Sequence, residues 1–448
     1  MIPLLVASLA VAGTPDAGTV AERLRDEALA HSMAHIWVGE LVDAAGPRLA
    51  GGPGDAPAVA RAVQKMKSLG LSHVHTEAVT APHWERGEQA GRLIQPRPQA
   101  LSLAALGGSI GTSPEGIEAA VVLFPTMEAL AKAPADAVRG KIAFINQHME
   151  RTRSGEGYSA AVKMRYAGPS EAAKRGALAV VIRSVTPSSQ RFPHTGGTDP
   201  TSRIPAAALA TPDADLLARM LEAGESVVLH LTLGCKNLPE VQTYNVVGEV
   251  PGRAHPEEVV LFGAHLDSWD LGMGALDDGA GVGVVLEAAR LIARHGAPER
   301  TVRVVLFANE ENGLAGGKGY AKLHAAEVEH HLLASEIDLG TSRAYALSYR
   351  GSKEATVSMQ ALMPLLRPLG IAEATFGGWE GSDIGPLRAA GVPVMDLKQD
   401  ATTYFDIHHT ADDTYDKVDP AGLAQLTAAL VAVGWEVADS ALAFGRVQ

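Results

Sequence analysis

The chain has 448 residues, 46% of them hydrophobic and 20% charged, with a formal net charge of −13. That composition is globular, and the length exceeds one ordinary core, so two domains are expected. The acidic balance, without a Lys/Arg cluster, argues against a nucleic-acid partner, because phosphate binding needs a basic face.

The first residues, Met1 to Gly13, are apolar and too few to span a bilayer. Ala10-Val11-Ala12 suits signal peptidase, so residues 1–19 are read as an export signal, cleaved near Ala12, and a leader. An exported protein follows, periplasmic or extracellular, with no stable membrane insertion. From about residue 118 the chain offers a strand at Ala119 to Phe124, a second at Lys141 to Ile145 and a helix through Ala172-Ala173-Lys174. A strand to Ile182 and an amphipathic segment from Asp213 to Leu221 follow. No Gly-x-Gly-x-x-Gly opens the helix, which removes a dinucleotide-binding reading. The single cysteine, Cys235, forbids an intrachain disulfide and is expected to be a buried structural residue.

Glu258 to Ala264 is a short apolar run rich in β-formers, read as a buried strand that delivers His265 at its carboxyl end, where open α/β sheets place their ligands. His265 and Asp267, two apart on extended chain, point the same way, so Asp267 can orient the imidazole from behind. Val282, Val285, Leu286, Ala289, Ile292 and Ala293 recur at helical spacing, placing Asp277 and Asp278 just before a helix amino terminus. Capping accounts for Asp278 as well as chemistry does; it does not account for Asp277. The next strand, Thr301 to Ala308, ends in Asn309-Glu310-Glu311. Adjacent side chains face opposite ways there, so one glutamate can bind metal while the other takes a proton. A third run, His331 to Ile337, brings Asp338. Near the end, His408-His409-Thr410 sits in a Tyr/Phe/Ile context before Asp413-Thr414.

The set His265, Asp277, Glu310-Glu311, Asp338 and His409 resembles, in pattern and order, the co-catalytic zinc exopeptidases of the aminopeptidase and glutamate carboxypeptidase clan, and most of all the carboxypeptidase Q (plasma glutamate carboxypeptidase) family. Pro82-His-Trp84 with Arg86-Gly87, Ala177-Leu-Ala, Ile182-Arg-Ser-Val185, Pro193-His-Thr-Gly196, His265-Leu-Asp-Ser-Trp-Asp270 and His408-His409 carry the likeness over nearly the whole chain after residue 20. The resemblance implies an α/β fold with a mixed, mostly parallel sheet flanked by helices. Residues 20–117 and 237–448 would form the zinc peptidase domain, interrupted by a protease-associated insertion at 118–236.

It also implies two zinc ions per chain. Asp277 would bridge them, His265 and Asp338 would complete one site, and Glu311 with His409 the other; a ligand placed directly before Thr selects His409. Glu310 would be the general base, supported by Asp267, and the peptide bond between Asp277 and Asp278 would be cis. Ser382, Asp383 and His408 are substrate-side candidates, although a loop cap explains Asp383 nearly as well. The implied reaction is hydrolysis of dipeptides or short peptides with a free terminus, in an expected homodimer. Mixed His and carboxylate ligands favour zinc on chemical grounds too. The rivals are a receptor-like member that has lost its ligands, against which every expected ligand is present, and a glutaminyl-cyclase-like enzyme with one zinc.

Overall fold

A computed structural model describes residues 18–378 and 381–447; the expected export signal lies outside the described residues. Among these residues the strands form two eight-stranded sheets. The first runs, edge to edge, Ser72–Glu85, Lys236–Val250, Arg300–Phe307, His255–His265, His331–Glu336, Val394–Gln399, Ala344–Arg350 and Glu373–Phe376. Its middle four strands, from Arg300–Phe307 to Val394–Gln399, are parallel, and antiparallel pairs flank them on both sides.

Alternation along the middle strands feeds two cores. Val260, Phe262, Ala264, Val302, Val304 and Leu306 join the helices Ala280–His295 and Pro420–Asp439 on one face. Val259, Leu261, Val305 and Phe307 meet Tyr320, Ile384 and Leu387 on the other. The expected helix after Asp278 is Ala280–His295, with Val282, Val285, Leu286, Ala289 and Ile292 buried. Helix Pro420–Asp439 is apolar and long enough to cross a bilayer, yet it is packed inside the protein. A Cβ on Gly434 would fall 2.1 Å from the Phe262 ring, so the missing side chain lets this helix seat directly on the sheet.

The second sheet runs Gln99–Leu101, Gln89–Gln95, Val228–Leu233, Ile117–Phe124, Ile142–Ile145, Ala179–Arg183, Ala206–Leu209 and Leu103–Ala105. It lies wholly between Ser72–Glu85 and Lys236–Val250, which are antiparallel neighbours with Glu85 opposite Lys236. The chain therefore leaves the first sheet and re-enters it at one point. The expected strand, helix and strand are Ile142–Ile145, Glu156–Lys174 and Ala179–Arg183, the two strands parallel.

One boundary differs from expectation. The second sheet takes its strands from Gln89 onward, not from about residue 118, so residues 89–105 do not belong with the first sheet. In Gln89–Gln95 only Gly91 and Leu93 are buried. Such a one-sided antiparallel strand carries too little apolar character to mark a new core.

Candidate metal centre

Three adjacent parallel strands deliver the predicted residues to one edge. Strand His255–His265 ends in His265, strand Arg300–Phe307 runs into Glu310-Glu311, and His331–Glu336 runs into Asp338. Asp277 sits in the irregular turn Ala275–Gly279 ahead of helix Ala280–His295, and its peptide bond to Asp278 is cis, as the resemblance implies. His408 and His409 lie on the loop beyond the fourth parallel strand, Val394–Gln399.

The side chains converge on Asp277. His265 Nε2 is 3.1 Å from Asp277 Oδ1 and 3.4 Å from Asp338 Oδ1. On the other side, His409 Nε2 is 3.2 Å from Asp277 Oδ2 and 3.0 Å from Glu311 Oε2. The two oxygens of one carboxylate thus face different imidazoles, each of which meets a second carboxylate, and His408 Nε2 also lies 3.3 Å from Oδ2. A tetrahedral cation with bonds of about 2.0–2.2 Å holds its ligand atoms roughly 3.3–3.5 Å apart, close to these spacings. Asp277 Oδ2 is buried without a hydrogen-bond partner, an expensive state that a cation relieves. The donor set and the geometry fit a pair of divalent cations.

The electrostatics point the same way. Burial, reinforced by Asp338 and Glu311, pushes the Glu310 carboxyl well above its usual range. Burial, with Asp277 adding to it, raises Glu311 to about 7. Burial opposes charging His265 and His409, but the surrounding carboxylates prevail and hold both imidazoles well above their ordinary value. These groups hold protons where a cation would otherwise supply the positive charge.

Other residues hold this centre in place. Asp267 accepts the backbone N–H groups of Glu310 and Glu311, at 2.9 and 3.4 Å. Its relation to His265 differs from expectation: Nδ1 lies 3.1 Å from the Asp267 carbonyl and 3.6 Å from the carboxylate. The strand ends at His265, so two-residue alternation no longer applies beyond it. Asp278 accepts from the backbone N–H of His265 at 3.1 Å and of Gly281 at 2.8 Å, so it does serve the helix start. Asp413 accepts from the N–H groups of Leu276 and Asp277, at 2.7 and 3.2 Å. Asp383 is fully buried and accepts from Gly317 N–H at 3.1 Å, whereas Ser382 is half-buried and its carbonyl accepts from Gly385 N–H.

Sequence reasoning missed Arg48. Its guanidinium, fully buried, donates to the carbonyls of Leu266, Met273 and Gly274, at 2.5, 2.7 and 2.8 Å, pinning both ends of the loop between His265 and Asp277. A lone arginine between Pro47 and Leu49 looks like an ordinary surface charge. Arg48 also stands near Asp413, Asp267, Asp278 and Asp277, a cation beneath an acidic cluster.

The inserted unit reaches the centre as well. His194 Nε2 lies 2.9 Å from His408 Nδ1, and Thr195 pairs with His409 through its carbonyl, 3.3 Å from Nδ1, and its N–H, 3.0 Å from the His409 carbonyl. Burial, then the neighbouring imidazoles, keeps His194 and His408 well below the usual value, so this pair is uncharged. Trp269 presses its ring where a Cβ on Gly107 of the inserted unit would lie 1.9 Å from it.

Known proteins resemble this chain in sequence and fold. Residues 245–434 match the model of peptidase family M28. The chain is 40% identical to mouse carboxypeptidase Q over 406 residues, 90% of this chain and 85% of that protein. It superposes on the crystal structure of a peptidase M28 precursor from Shewanella amazonensis SB2B with a TM-score of 0.94 and 43% identity, covering 96% of this chain and 98% of that one. A zinc aminopeptidase from Bacillus subtilis shares the fold at a TM-score of 0.66 and 22% identity, covering 92% and 97% of the two chains.

Proposed function

The chain belongs to peptidase family M28 and is a metallopeptidase, and from that premise we propose that it is a di-zinc exopeptidase hydrolysing dipeptides or short peptides with a free terminus. The observation that carries this reading is the central place of Asp277, whose two oxygens face different imidazoles, His265 and His409, each of which also meets a second carboxylate. His265, Asp277 and Asp338 would hold one zinc, and Asp277, Glu311 and His409 the other.

Bound zinc supplies Lewis acidity, acidifying water and polarising the scissile carbonyl. The chain's own groups do the rest. Glu310 takes the proton of the attacking water and passes it to the leaving amine. Asp267 fixes the backbone of both glutamates, and Arg48 with Asp413 holds the turn that presents Asp277. The unit carrying the second sheet is read as a protease-associated domain that shapes the substrate cleft, supported by the reach of His194 and Thr195 into the centre. Export to the periplasm or the medium is proposed from the apolar segment ending at Ala10-Val11-Ala12.

A panel of free and amino-blocked dipeptides, offered to protein of measured zinc content, tests this reading. Blocking the α-amino group is expected to cost far more than changing side chains. Cleavage of a folded protein at comparable rates would contradict it.

A further inference from the structure

We propose that His194 is a positioning residue of the peptidase centre: by donating its Nε2–H to His408 Nδ1, it leaves His408 Nε2–H as a hydrogen-bond donor beside Asp277, available to the oxygen of the scissile carbonyl. The proposal rests on the reading that this centre hydrolyses peptides.

The geometry sets the direction of the bond. A neutral imidazole has one N–H and one lone pair, and only one proton lies between His194 Nε2 and His408 Nδ1, 2.9 Å apart. Were it on His408, the Nε2 lone pair of His408 would face the Asp277 carboxylate oxygen at 3.3 Å. His194 would then carry its own N–H on Nδ1, an atom that is buried and has no hydrogen-bond partner. An orphaned buried donor costs its full desolvation. With the proton on His194 Nε2 the lone-pair repulsion at Asp277 disappears, the unpartnered Nδ1 is left as a lone pair rather than a stranded N–H, and His408 Nε2 becomes a donor.

The adjacent histidine is set the other way. His409 Nδ1 meets both the Thr195 carbonyl, at 3.3 Å, and the donor-only guanidinium of Arg165; a cation held at Nε2 would decide for the proton on Nδ1, toward the carbonyl, with the Nε2 lone pair toward Asp277 and Glu311. Arg165 stands 3.4 Å from the same Nδ1 and donates to that carbonyl at 3.2 Å, holding it in place. Two consecutive residues of the inserted unit therefore give two consecutive histidines opposite tautomers, one for a cation and one for a developing negative charge. His408 has little freedom to turn: Tyr158 and Phe405 meet its ring edge to face, with centroids at 5.2 and 5.3 Å, and His409 stacks on it at 3.6 Å.

Steady-state kinetics and zinc content of His408→Leu, His194→Leu, His194→Gln and the double Leu variant test the proposal on zinc-loaded protein. A lost donor to a developing oxyanion costs roughly 10²- to 10³-fold in kcat, so His408→Leu should lose about 10²-fold while keeping its zinc. His194→Leu should lose about tenfold in kcat with little change in KM. His194→Gln, which retains an N–H donor, should recover most of that loss, and the double variant should be no slower than His408→Leu. If His194→Leu does not fold, His194→Met takes its place. Unchanged kcat in the donorless variant, no recovery with Gln, or zinc loss that accounts for the His408→Leu defect would overturn the inference. An inactive, zinc-loaded wild type would instead overturn the reading beneath it.

Discussion

Both sheets have four parallel strands at their centre, yet their carboxyl edges differ in kind. The first sheet ends in His265, Glu310-Glu311 and Asp338, and its loops add Asp277 and His409. The corresponding strands of the second end before Pro125, Asn146, Ser184 and Ala210. Similar architecture gives a reaction centre in one case and none in the other, because chemistry resides in the residues placed at the strand ends. The second sheet contributes differently, since the loop beyond Ala179–Arg183 supplies a carbonyl and a neutral imidazole that orient the first sheet's histidines.

The largest effect should come from stripping that edge of its cations. Exhaustive chelation is expected to abolish hydrolysis, and zinc to restore it, while far-UV circular dichroism shows both sheets still folded. Full activity with metal loss confirmed would place the chemistry away from the first sheet's edge.

Next come the paired glutamates. Glu310→Gln keeps the shape of a residue read as the base, so bound zinc should persist while turnover falls by roughly 10²- to 10⁴-fold. Glu311→Gln removes an anion 3.0 Å from His409 Nε2, so zinc affinity itself should drop and excess zinc should recover part of the rate. A metal-depleted Glu310→Gln beside a metal-replete Glu311→Gln would mean that the two roles are reversed.

The convergence at the first sheet's edge was largely legible because two of the residues proposed as ligands directly follow apolar β-forming runs, His265 after Val259-Val-Leu-Phe-Gly-Ala and Asp338 after Leu332-Leu-Ala-Ser-Glu-Ile. The positioning groups were not. Arg48 acts through three carbonyls that are close only after folding, and the pairing of Thr195 with His409 links backbone groups 214 residues apart. Gln89–Gln95 was missed because only two of its residues enter a core.

Arg48 and Leu217 separate the two sheets at a lower magnitude. Arg48→Met strands three carbonyls and removes a buried cation, with a destabilisation of about 3–5 kcal/mol by analogy with broken buried ion pairs; zinc affinity should fall with it, because the loop between His265 and Asp277 loses its tie. Leu217→Ala, in the core beneath the second sheet, should cost a similar 2–5 kcal/mol or so. Its zinc content should be unchanged while the protein remains folded. Thermal melts with metal analysis distinguish them, and equal zinc loss in both would mean that the centre responds to general instability.

The smallest effect is expected where the two sheets join. Cys235 follows the last strand of the inserted unit, Val228–Leu233, and precedes Lys236–Val250, packed in one core with Trp84, Leu233 and Trp269. Burial pushes its thiol up to about 11. At pH 8 the thiolate fraction is then roughly two hundredfold below that of an unfolded cysteine with a pKa of about 8.5. Alkylation of the native protein should therefore be far slower than in denaturant, and Cys235→Ala should leave kcat unchanged because the thiol is not among the groups that converge on Asp277. Fast alkylation without loss of activity would show the junction opening while the centre stays assembled. That result would contradict a second sheet held firmly enough to aim His408 and His409.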